Sequence, residues 1–418
     1  MRRITPQPWL ALVLDALTYQ QKAIEKFGRP PSSITDQDNT ACTDARPEFW
    51  MVSHRGIQQA TNAKVAQFKA ALFTECQTVA DLCCGIGGDS MALSRVCREL
   101  ISIDADPAMV FANQWNVGLS NSNHPPDQSA NHRLVQGMIP ESEIPHGAAL
   151  HIDPDRRGKN AGERYTNADY YAPDANTVLD LVTTAPGALV KIAPAADWSL
   201  VDPLAMRMWI SCDGSVREQG VVYGSIAQRL RRALPSVPPR GACQFGDPAA
   251  NRLVVQIVGD QIRVFRADPI PDDAVSPMPT AADWIISPDP AIRAAGLTSA
   301  FADALNLVPI GHASGYLTNA SPVETGGPRP NAESSLHEMA DWYRVLWRGP
   351  AKKKPVRGAL ELLGGCIGSV KKRGGALDPL TVHKQWNIPG DRALVLILGQ
   401  THPRSAPWAA LCLRPVSE

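Results

Sequence analysis

The sequence has no excess of charge of either sign, because Lys and Arg together number 41 and Asp and Glu together also number 41. A strongly basic chain would indicate a general affinity for nucleic acids or membranes, so any such surface here has to be local. Long hydrophobic runs are also missing. The apolar stretch near the amino terminus is short, is interrupted by Asp15 and is followed by no small-residue cleavage site. We therefore expect a cytoplasmic protein without a membrane partner.

The nine cysteines include no C-x-x-C pair. Scattered cysteines of this kind are typical of reduced thiols, and they indicate neither a disulfide framework nor a zinc site. We therefore predict no bound metal. Cys83 and Cys84 fall inside the first predicted strand.

The most informative stretch runs from Val79 to Asp104 and reads VADLCCGIGGDSMALSRVCRELISID. Its opening apolar run, Val79 to Cys84, predicts a buried parallel strand, which is followed by a glycine turn and a helix that starts near Asp89. A second apolar run, Leu100 to Ile103, ends on Asp104. This pattern is typical of a nucleoside-binding crevice, because glycines let the backbone approach a ligand and the final acid accepts hydrogen bonds from ribose hydroxyls.

The same stretch lacks the third glycine of the dinucleotide fingerprint G-x-G-x-x-G, because Ser90 stands at that position. Asp81 lies four residues before Gly85, close to where a pyrophosphate would bind, and its negative charge suits a cationic ligand better. S-adenosylmethionine, with its sulfonium and its ammonium group, is such a ligand. The alternative is an ordinary strand–helix–strand unit without a ligand. The predicted cofactor-binding residues in this stretch are Asp81, Gly85, Gly87, Gly88 and Asp104.

Proline-rich stretches and the periodicity of apolar residues divide the rest of the chain into predicted domains and linkers. We predict an amino-terminal helix and linker over 1–47, a main domain over 48–266, a linker over 267–283 with four prolines, and a smaller α/β domain of about five strands over 284–418. The amino-terminal helix has Leu10, Leu14, Leu17 and Ile24 on one predicted apolar face. Asp106 and Pro107 predict the start of another helix, as N-cap and first helical residue.

The D-x-x-x-G-x-G-G arrangement, with a second acid one strand later, resembles motifs I and II of the class I methyltransferases. In that family the segment before motif I often covers the methionine end of the cofactor, so Gln59 and Thr61 become candidate contacts. The alternative is that both are ordinary polar residues at a helix start. Many of these enzymes hold the adenine with an acid after the third strand, but this chain has Gly137 and Met138 there. Because the chain departs from the family pattern here, we expect backbone groups and apolar contacts to hold the adenine and assign no side chain to it.

The fourth predicted strand, Ala148 to Ile152, ends in the sequence DPDRR. Amino-directed methyltransferases place a [DNS]-P-P-[YFW] loop at this position, and Asp153 and Pro154 fit it. By this resemblance Asp153 would orient the acceptor amine, and Arg156 or Arg157 would take the place of the aromatic residue that stacks on a flipped base. Arg156 is thus a third candidate catalytic residue.

Two further residues near this loop are candidates for substrate binding. The guanidinium of Arg157 can stack on a base or bind phosphate, and Tyr170 can supply the missing ring, as can Tyr165 or Tyr171. The alternative is internal pairing of the two arginines with Asp155 or Glu163. Glu218 can also face the site, although a surface position on its strand is the simpler interpretation.

A closer resemblance rests on several motifs in order: QAT, DLCCGIGGD, IDADP, IDPDRR, VKIAP, DPAIRAAGL, GYLT and SVKKRGG-x-x-DP. Together they resemble a bacterial family of class I methyltransferases that has a THUMP-like carboxyl-terminal domain and is related to RNA cap guanine-N2 methyltransferases. The resemblance implies an α/β fold in which a Rossmann-like methyltransferase sheet precedes a smaller α/β THUMP-like domain. It also implies S-adenosylmethionine as the cofactor and RNA as the substrate.

Local charge agrees with an RNA partner. Residues 344–373 contain nine Lys or Arg and one acid, Glu361, and aromatic residues lie among them or just before. Basic side chains neutralise phosphates and aromatic rings stack on bases. We assign the phosphate contacts to Lys371, Lys372 and Arg373. The alternatives are a solvated face, or internal ion pairs with Asp378, Asp391, Asp272 or Asp273.

These observations predict transfer of a methyl group to a base nitrogen of RNA. Two alternatives stay open. The chain can be a methyltransferase that acts on a protein or a small molecule, or an RNA-binding protein whose cofactor pocket is vestigial.

Overall fold

The apolar runs of the sequence form strands, and the stretches between them supply the helices. The computed structural model describes residues 8–31, 49–122, 129–156, 171–198, 202, 204–232, 242–247, 249–271, 281–311, 314–319, 335–374 and 376–414. The chain divides into two units. The first comprises Met1–Asp213, Arg217–Ala242 and Ile257–Ile262, and the second comprises Gly214–Val216, Cys243–Gln256 and Arg263–Glu418.

The elements up to residue 271 follow the predicted alternation of strands and helices. The helices are α1 (Pro8–Phe27), α2 (His54–Gln59), α3 (Ala63–Ala71), α4 (Ser90–Leu93), α5 (Pro107–Asn121), α6 (Ala175–Thr184) and α7 (Gly224–Arg232). The strands are β1 (Thr78–Leu82), β2 (Glu99–Asp104), β3 (Asn131–Gln136), β4 (Ala149–Ile152), β5 (Asp155–Arg156), β6 (Tyr171–Ala172), β7 (Gly187–Ile192), β8 (Met206–Cys212), β9 (Ser215–Tyr223), β10 (Ala242–Gly246), β11 (Arg252–Val258) and β12 (Gln261–Ala267).

The sheet of the first unit has the strand order β8-β9-β7-β4-β1-β2-β3, and β12 lies between β10 and β11. Strands β1, β2, β3, β4 and β7 are parallel, and β9 runs antiparallel to β7. The carboxyl ends of the parallel strands therefore meet at one edge. The loops that follow these strands form the crevice in which open α/β sheets bind ligands.

The helix α1 packs on a different face from the predicted one. Leu10, Leu14 and Leu17 are exposed, whereas Leu12 and Ala16 are buried against Trp50, Met51 and Ile57 in one apolar cluster. The prediction of the buried face was wrong because the segment around Trp50 selects the face that it covers, and periodicity alone does not contain this information. No helix in the described part of the chain is long and apolar enough to cross a membrane.

The second unit has a seven-stranded sheet in its carboxyl-terminal part, where we predicted about five strands. The strands are β13 (Trp284–Pro288), β14 (Leu307–Pro309), β15 (Leu317–Asn319), β16 (Ala340–Pro350), β17 (Gly365–Lys372), β18 (Arg392–Gly399) and β19 (Trp408–Leu413). The helices are α8 (Pro290–Ala294), α9 (Thr298–Ala304), α10 (Lys353–Leu363) and α11 (Pro379–Trp386), and Ser335–Met339 is a short 3-10 helix.

This sheet is mixed, with the strand order β14-β15-β13-β16-β19-β18-β17. The pairing of β17 with β18 is parallel, and the helix α11 connects these two strands. Val356 and Leu360 of α10 and Val382 and Trp386 of α11 are buried with Leu396 in one core cluster. The two helices therefore cover the same face of the sheet.

Candidate functional site

A cavity of about 290 Å³ lies at the carboxyl ends of the parallel strands of the first unit. Residues that follow β1, β2, β3 and β4 line it, and so does Lys191 of β7. Five carboxylates and two cationic side chains of the described residues belong to this lining. The carboxylates are those of Asp89, Asp104, Asp106, Asp153 and Asp155, and the cations are Arg55 and Lys191.

The three glycines of the turn after β1 have different roles. Gly85 and Gly87 have φ angles of +54° and +89°, a region that side chains disfavour. A Cβ atom on Gly85 would meet nothing within 4 Å, whereas one on Gly87 would approach Asn113 to 3.2 Å and one on Gly88 would approach the backbone nitrogen of Thr61 to 3.0 Å. Gly85 therefore leaves space in the cavity, and the other two permit close packing.

The first strand ends two residues earlier than predicted. The strand ends at Leu82, and Cys83 adopts a φ of +58° at the edge of the cavity. A positive φ is uncommon for a residue with a side chain, and such residues occur often at functional sites. The predicted helix after the turn is also shorter than expected, because α4 contains only four residues.

Asp104 lies where the sequence predicted it, at the end of β2 and in the lining of the cavity. Its Oδ2 accepts a hydrogen bond from the backbone nitrogen of Gly85 over 2.9 Å, and its Oδ1 accepts one from the backbone nitrogen of Asp106 over 2.9 Å. Burial raises the pKa of the Asp104 carboxyl above its usual value, although these two hydrogen bonds oppose the shift. The carboxylate is thus held in one orientation beside the glycine turn.

Asp81 does not belong to the cavity lining, which corrects its assignment as a direct cofactor contact. It is buried, and its Oδ1 lies 2.8 Å from Nδ1 of His151, while Ser90 donates a hydrogen bond to its Oδ2. Both oxygens are therefore engaged below the glycine turn. Asp89 is the acid of this motif that reaches the cavity.

A buried ion-pair network surrounds Asp89. Nζ of Lys69 lies 2.8 Å from Oδ1 of Asp89 and 2.7 Å from Oε1 of Glu218, which is buried on β9 and not on the surface. Burial opposes the charge of Lys69, but the two carboxylates outweigh it and hold the pKa of this lysine above its usual value. Burial likewise opposes the charge of Asp89, and Lys69 and His151 nevertheless lower the pKa of that carboxyl.

Thr61 connects this network to the cavity. Its Oγ1 donates a hydrogen bond to Oδ2 of Asp89 over 2.6 Å and accepts one from Nζ of Lys191 over 3.1 Å. Lys191 also donates to Oδ2 of Asp153 over 2.6 Å. The role of Lys191 could not be predicted from the sequence, because its partners lie on other elements.

Asp153 and Pro154 of the predicted acceptor loop both line the cavity. Arg156 pairs through its backbone with Tyr171, so that β5 and β6 form a two-stranded ladder. Tyr171 itself is buried, and its hydroxyl accepts a hydrogen bond from the backbone nitrogen of Ala193, which excludes it as a free stacking platform. Arg157, Glu163, Tyr165 and Tyr170 lie outside the described residues.

Asp155 connects the acceptor loop to the opposite wall of the cavity. Arg55 of α2 donates to its Oδ2 over 2.6 Å, and Nε2 of Gln59 lies 3.4 Å from its Oδ1. Gln59 and Thr61, the predicted contacts before motif I, both line the cavity. Sequence reasoning missed Arg55, for which no motif gives a signal.

The helix α1, which precedes the first motif of the family resemblance, supports this wall. Nζ of Lys26 donates to the backbone oxygens of Ile57 over 2.7 Å and of Gln58 over 3.2 Å, at the end of α2. Burial lowers the pKa of Lys26 to about 8, and the neighbouring cation of Lys191 adds to the shift.

All three predicted phosphate contacts in the second unit have interaction partners within the protein. Nζ of Lys371 lies 2.7 Å from Oδ2 of Asp341. Arg373 donates to the backbone oxygens of Gly315 and Pro288, and its guanidinium lies 4.6 Å from the ring centre of Tyr316. This corrects the assignment of Arg373, whose contacts make it a structural residue, and Lys372 also has a partner.

The aromatic residues near these cations are part of the core. Trp342 and Tyr343 are buried, and Trp347 packs against the cluster that contains α10 and α11. They are therefore not stacking platforms. Five of the nine predicted cations are exposed: Arg344 and Arg348 on β16, and the adjacent Lys352, Lys353 and Lys354 at the start of α10.

Comparison with known proteins agrees with this architecture. The THUMP domain-like family model matches residues 340–414, which confirms the predicted THUMP-like domain. The crystal structure described as "putative methyltransferase from Porphyromonas gingivalis W83" is similar over 99% of this chain and 92% of that chain, with a TM-score of 0.67 and 17% identity. The chain has a methyltransferase fold.

A more distant structural match covers part of the chain. The magnesium protoporphyrin IX methyltransferase of Synechocystis PCC 6803, solved with bound S-adenosylmethionine, is 12% identical and covers 53% of this chain and 98% of its own, with a TM-score of 0.30. A likeness at this level shows nothing about the substrate. No curated protein matches the sequence. The relation to RNA cap guanine-N2 methyltransferases stays a prediction.

Proposed function

We propose that this methyltransferase fold binds S-adenosylmethionine in the cavity of the first unit and methylates a base nitrogen of RNA. The observation that supports the cofactor most strongly is the position of Asp104 beside Gly85. A carboxylate at the end of the second strand, oriented by two backbone hydrogen bonds, is suited to accept hydrogen bonds from ribose hydroxyls. The open space above Gly85 gives the ligand room to approach the backbone.

The charge of the cavity also fits this cofactor. Five carboxylates face two cationic side chains among the described lining residues, so the lining favours a ligand with a positive charge over a pyrophosphate. The predicted adenine side contains Gly137, Met138 and Ile139, which offer backbone groups and apolar surface. The residues present therefore fit S-adenosylmethionine.

The chain's own contribution to the reaction is to position the acceptor. When bound, the cofactor supplies a methyl group on a positively charged sulfur. Asp153 would accept a hydrogen bond from an exocyclic amine and would offset the positive charge that develops on its nitrogen. Pro154 follows in the lining of the cavity and shapes the same loop.

RNA is the substrate class that the second unit supports. The THUMP-like match covers residues 340–414, and the exposed lysines Lys352, Lys353 and Lys354 form a local cationic surface at the start of α10. Adjacent lysines of this kind can neutralise phosphates. A small-molecule acceptor is the second candidate, and the internal pairing of Lys371 and Arg373 favours it by removing two predicted phosphate contacts.

Two measurements test the proposal. Isothermal titration calorimetry with S-adenosylmethionine tests the cofactor, and we expect one site per chain. Incubation with labelled S-adenosylmethionine and total RNA from a strain that lacks this protein tests the substrate, and we expect label in RNA. If the protein binds the cofactor but no label enters RNA, the proposal of a methyltransferase stands, and a small molecule replaces RNA as the proposed substrate.

A further inference from the structure

Lys191 joins the two walls of the cavity. Its ammonium group lies 2.6 Å from Oδ2 of Asp153 on the acceptor side. On the opposite side it lies 3.1 Å from Oγ1 of Thr61 and 3.4 Å from the backbone oxygen of Gln59. Three oxygens on two different segments therefore surround one nearly buried ammonium group, whose three hydrogens match them in number.

This arrangement leaves the two oxygens of Asp153 unequal. Oδ2 accepts a hydrogen bond from the ammonium group of Lys191, whereas Oδ1 has no hydrogen-bond partner among the residues that the structure describes. The Asp153 side chain is about one-third exposed and faces the cavity, so Oδ1 is open to a ligand. A carboxylate without this partner would rotate and offer either oxygen.

We propose that Lys191 is a positioning residue that fixes the acceptor carboxylate, so that Oδ1 of Asp153 is the oxygen presented to the acceptor amine. The proposal rests on the proposed function, because it assumes that the acceptor binds beside Asp153. It also explains why a lysine is placed in a cavity that binds a cation. The charge of Lys191 is offset locally, and its role is to orient Asp153.

The electrostatics agree with a charged lysine at this position. Burial opposes the charge of Lys191, but the carboxylates of Asp153 and Glu218 outweigh it and raise the pKa above its usual value. The lysine is therefore an ammonium at neutral pH, and it donates hydrogen bonds but cannot accept a proton from the substrate. This excludes Lys191 as a general base and leaves the positioning role.

The first test needs no acceptor. Crystal structures of the full-length Lys191→Met and Lys191→Gln variants with S-adenosylhomocysteine are compared with the wild type. We expect Asp153 to leave its position in Lys191→Met and to keep it in Lys191→Gln, whose amide can still donate to Oδ2. An unchanged Asp153 in Lys191→Met would overturn the proposal. If Lys191→Met does not fold, Lys191→Ala, which also has no donor, replaces it, with a moved Asp153 carboxylate as the expected result.

The second test measures turnover on total RNA from the deletion strain. We expect Lys191→Met to reduce kcat on the order of 100-fold, the scale of a lost positioning contact, and to change the Kd of S-adenosylmethionine less than threefold. In Lys191→Ala, added methylammonium should restore part of the activity, which a purely structural role would not allow. Lys64→Met, which removes a lysine of α3 outside the cavity lining, is the matched control and should keep wild-type turnover.

The outcomes separate this inference from the proposed function. If the wild type binds S-adenosylmethionine but labels no RNA, the substrate assignment fails, and the crystal structures still decide the role of Lys191. If Lys191→Met keeps its kcat on RNA, the positioning role is refuted, and methyltransferase activity on RNA stands.

Discussion

The backbone nitrogen of Gly85 donates a hydrogen bond to Oδ2 of Asp104 over 2.9 Å. The acid at the end of β2 therefore holds the glycine turn that follows β1, in addition to facing the cavity. Because one carboxylate serves the turn and is proposed to bind the ribose, its removal should affect the cofactor more than a single lost hydrogen bond at the surface would.

Replacement of Asp104 by Ala should weaken the binding of S-adenosylmethionine. The loss of charge-assisted hydrogen bonds to the ribose should cost about 1.5–3 kcal/mol, which is roughly a 10- to 150-fold increase in Kd. Calorimetry measures this change, with Asp180→Asn on the exposed side of α6 as the control. Equal affinities for the wild type and Asp104→Ala would show that the ribose binds elsewhere.

Gly85→Ala and Gly147→Ala form a matched pair. Both glycines have positive φ angles, +54° and +81°, and a Cβ atom on either would meet nothing within 4 Å. Each substitution should therefore lower the free energy of unfolding by about 1–2 kcal/mol, and the two losses should be similar. Only Gly85→Ala should also weaken S-adenosylmethionine binding, because Gly85 lines the cavity and Gly147 does not. Equal cofactor affinities of the two variants would contradict the assignment of the turn.

His132 should make stability depend on pH. Burial lowers the pKa of His132 to about 4, and its Nε2 lies 3.0 Å from Oγ of Ser102. Between pH 6.5 and 4 the unfolded chain binds the proton that the folded chain excludes, so this contribution to stability is lost as the pH falls through that window. The Tm of His132→Gln should fall less steeply with decreasing pH than the Tm of the wild type. Parallel curves of Tm against pH for the two proteins would refute the prediction.

The cations of the second unit should separate into two classes. Replacement of Lys352, Lys353 and Lys354 by Ala should reduce the slope of the logarithm of the RNA-binding constant against the logarithm of the salt concentration by about two. Each lost phosphate contact contributes about 0.7 to this change, and stability should stay the same. Arg373→Ala should instead lower the free energy of unfolding by about 2 kcal/mol, because two partly buried hydrogen bonds from a charged donor to carbonyl oxygens are lost. Filter binding and chemical denaturation measure the two effects. If Arg373→Ala flattened the salt dependence and the triple lysine variant lost stability instead, Arg373 would again be assigned as a phosphate contact.

The sequence was sufficient for the parts of the fold that depend on neighbouring residues. The acid at the end of β2 and the Asp106 cap followed by Pro107 at α5 lie where local patterns predicted them, and β1 begins within one residue of its predicted start. These features depend on hydrophobicity, turn chemistry and capping within a few residues.

The errors concern partners that are distant in the sequence. Asp81 was assigned to the cofactor, but it accepts from His151, 70 residues later, and this partner could not be inferred from the motif. Lys191 and Asp153 are 38 residues apart and meet only because β4 and β7 are neighbours in the sheet. Arg373 looked like part of a basic surface, and its contact with Tyr316 became evident only from the fold.

The most direct test of the account is mass spectrometry of RNA nucleosides from a strain that lacks this protein, complemented with the wild type, Asp104→Ala or Asp153→Ala. We predict that one base-methylated nucleoside disappears in the deletion strain, returns with the wild type and stays absent with Asp153→Ala. Its level with Asp104→Ala should be reduced. Identical nucleoside profiles in all strains, or full restoration by Asp153→Ala, would contradict it.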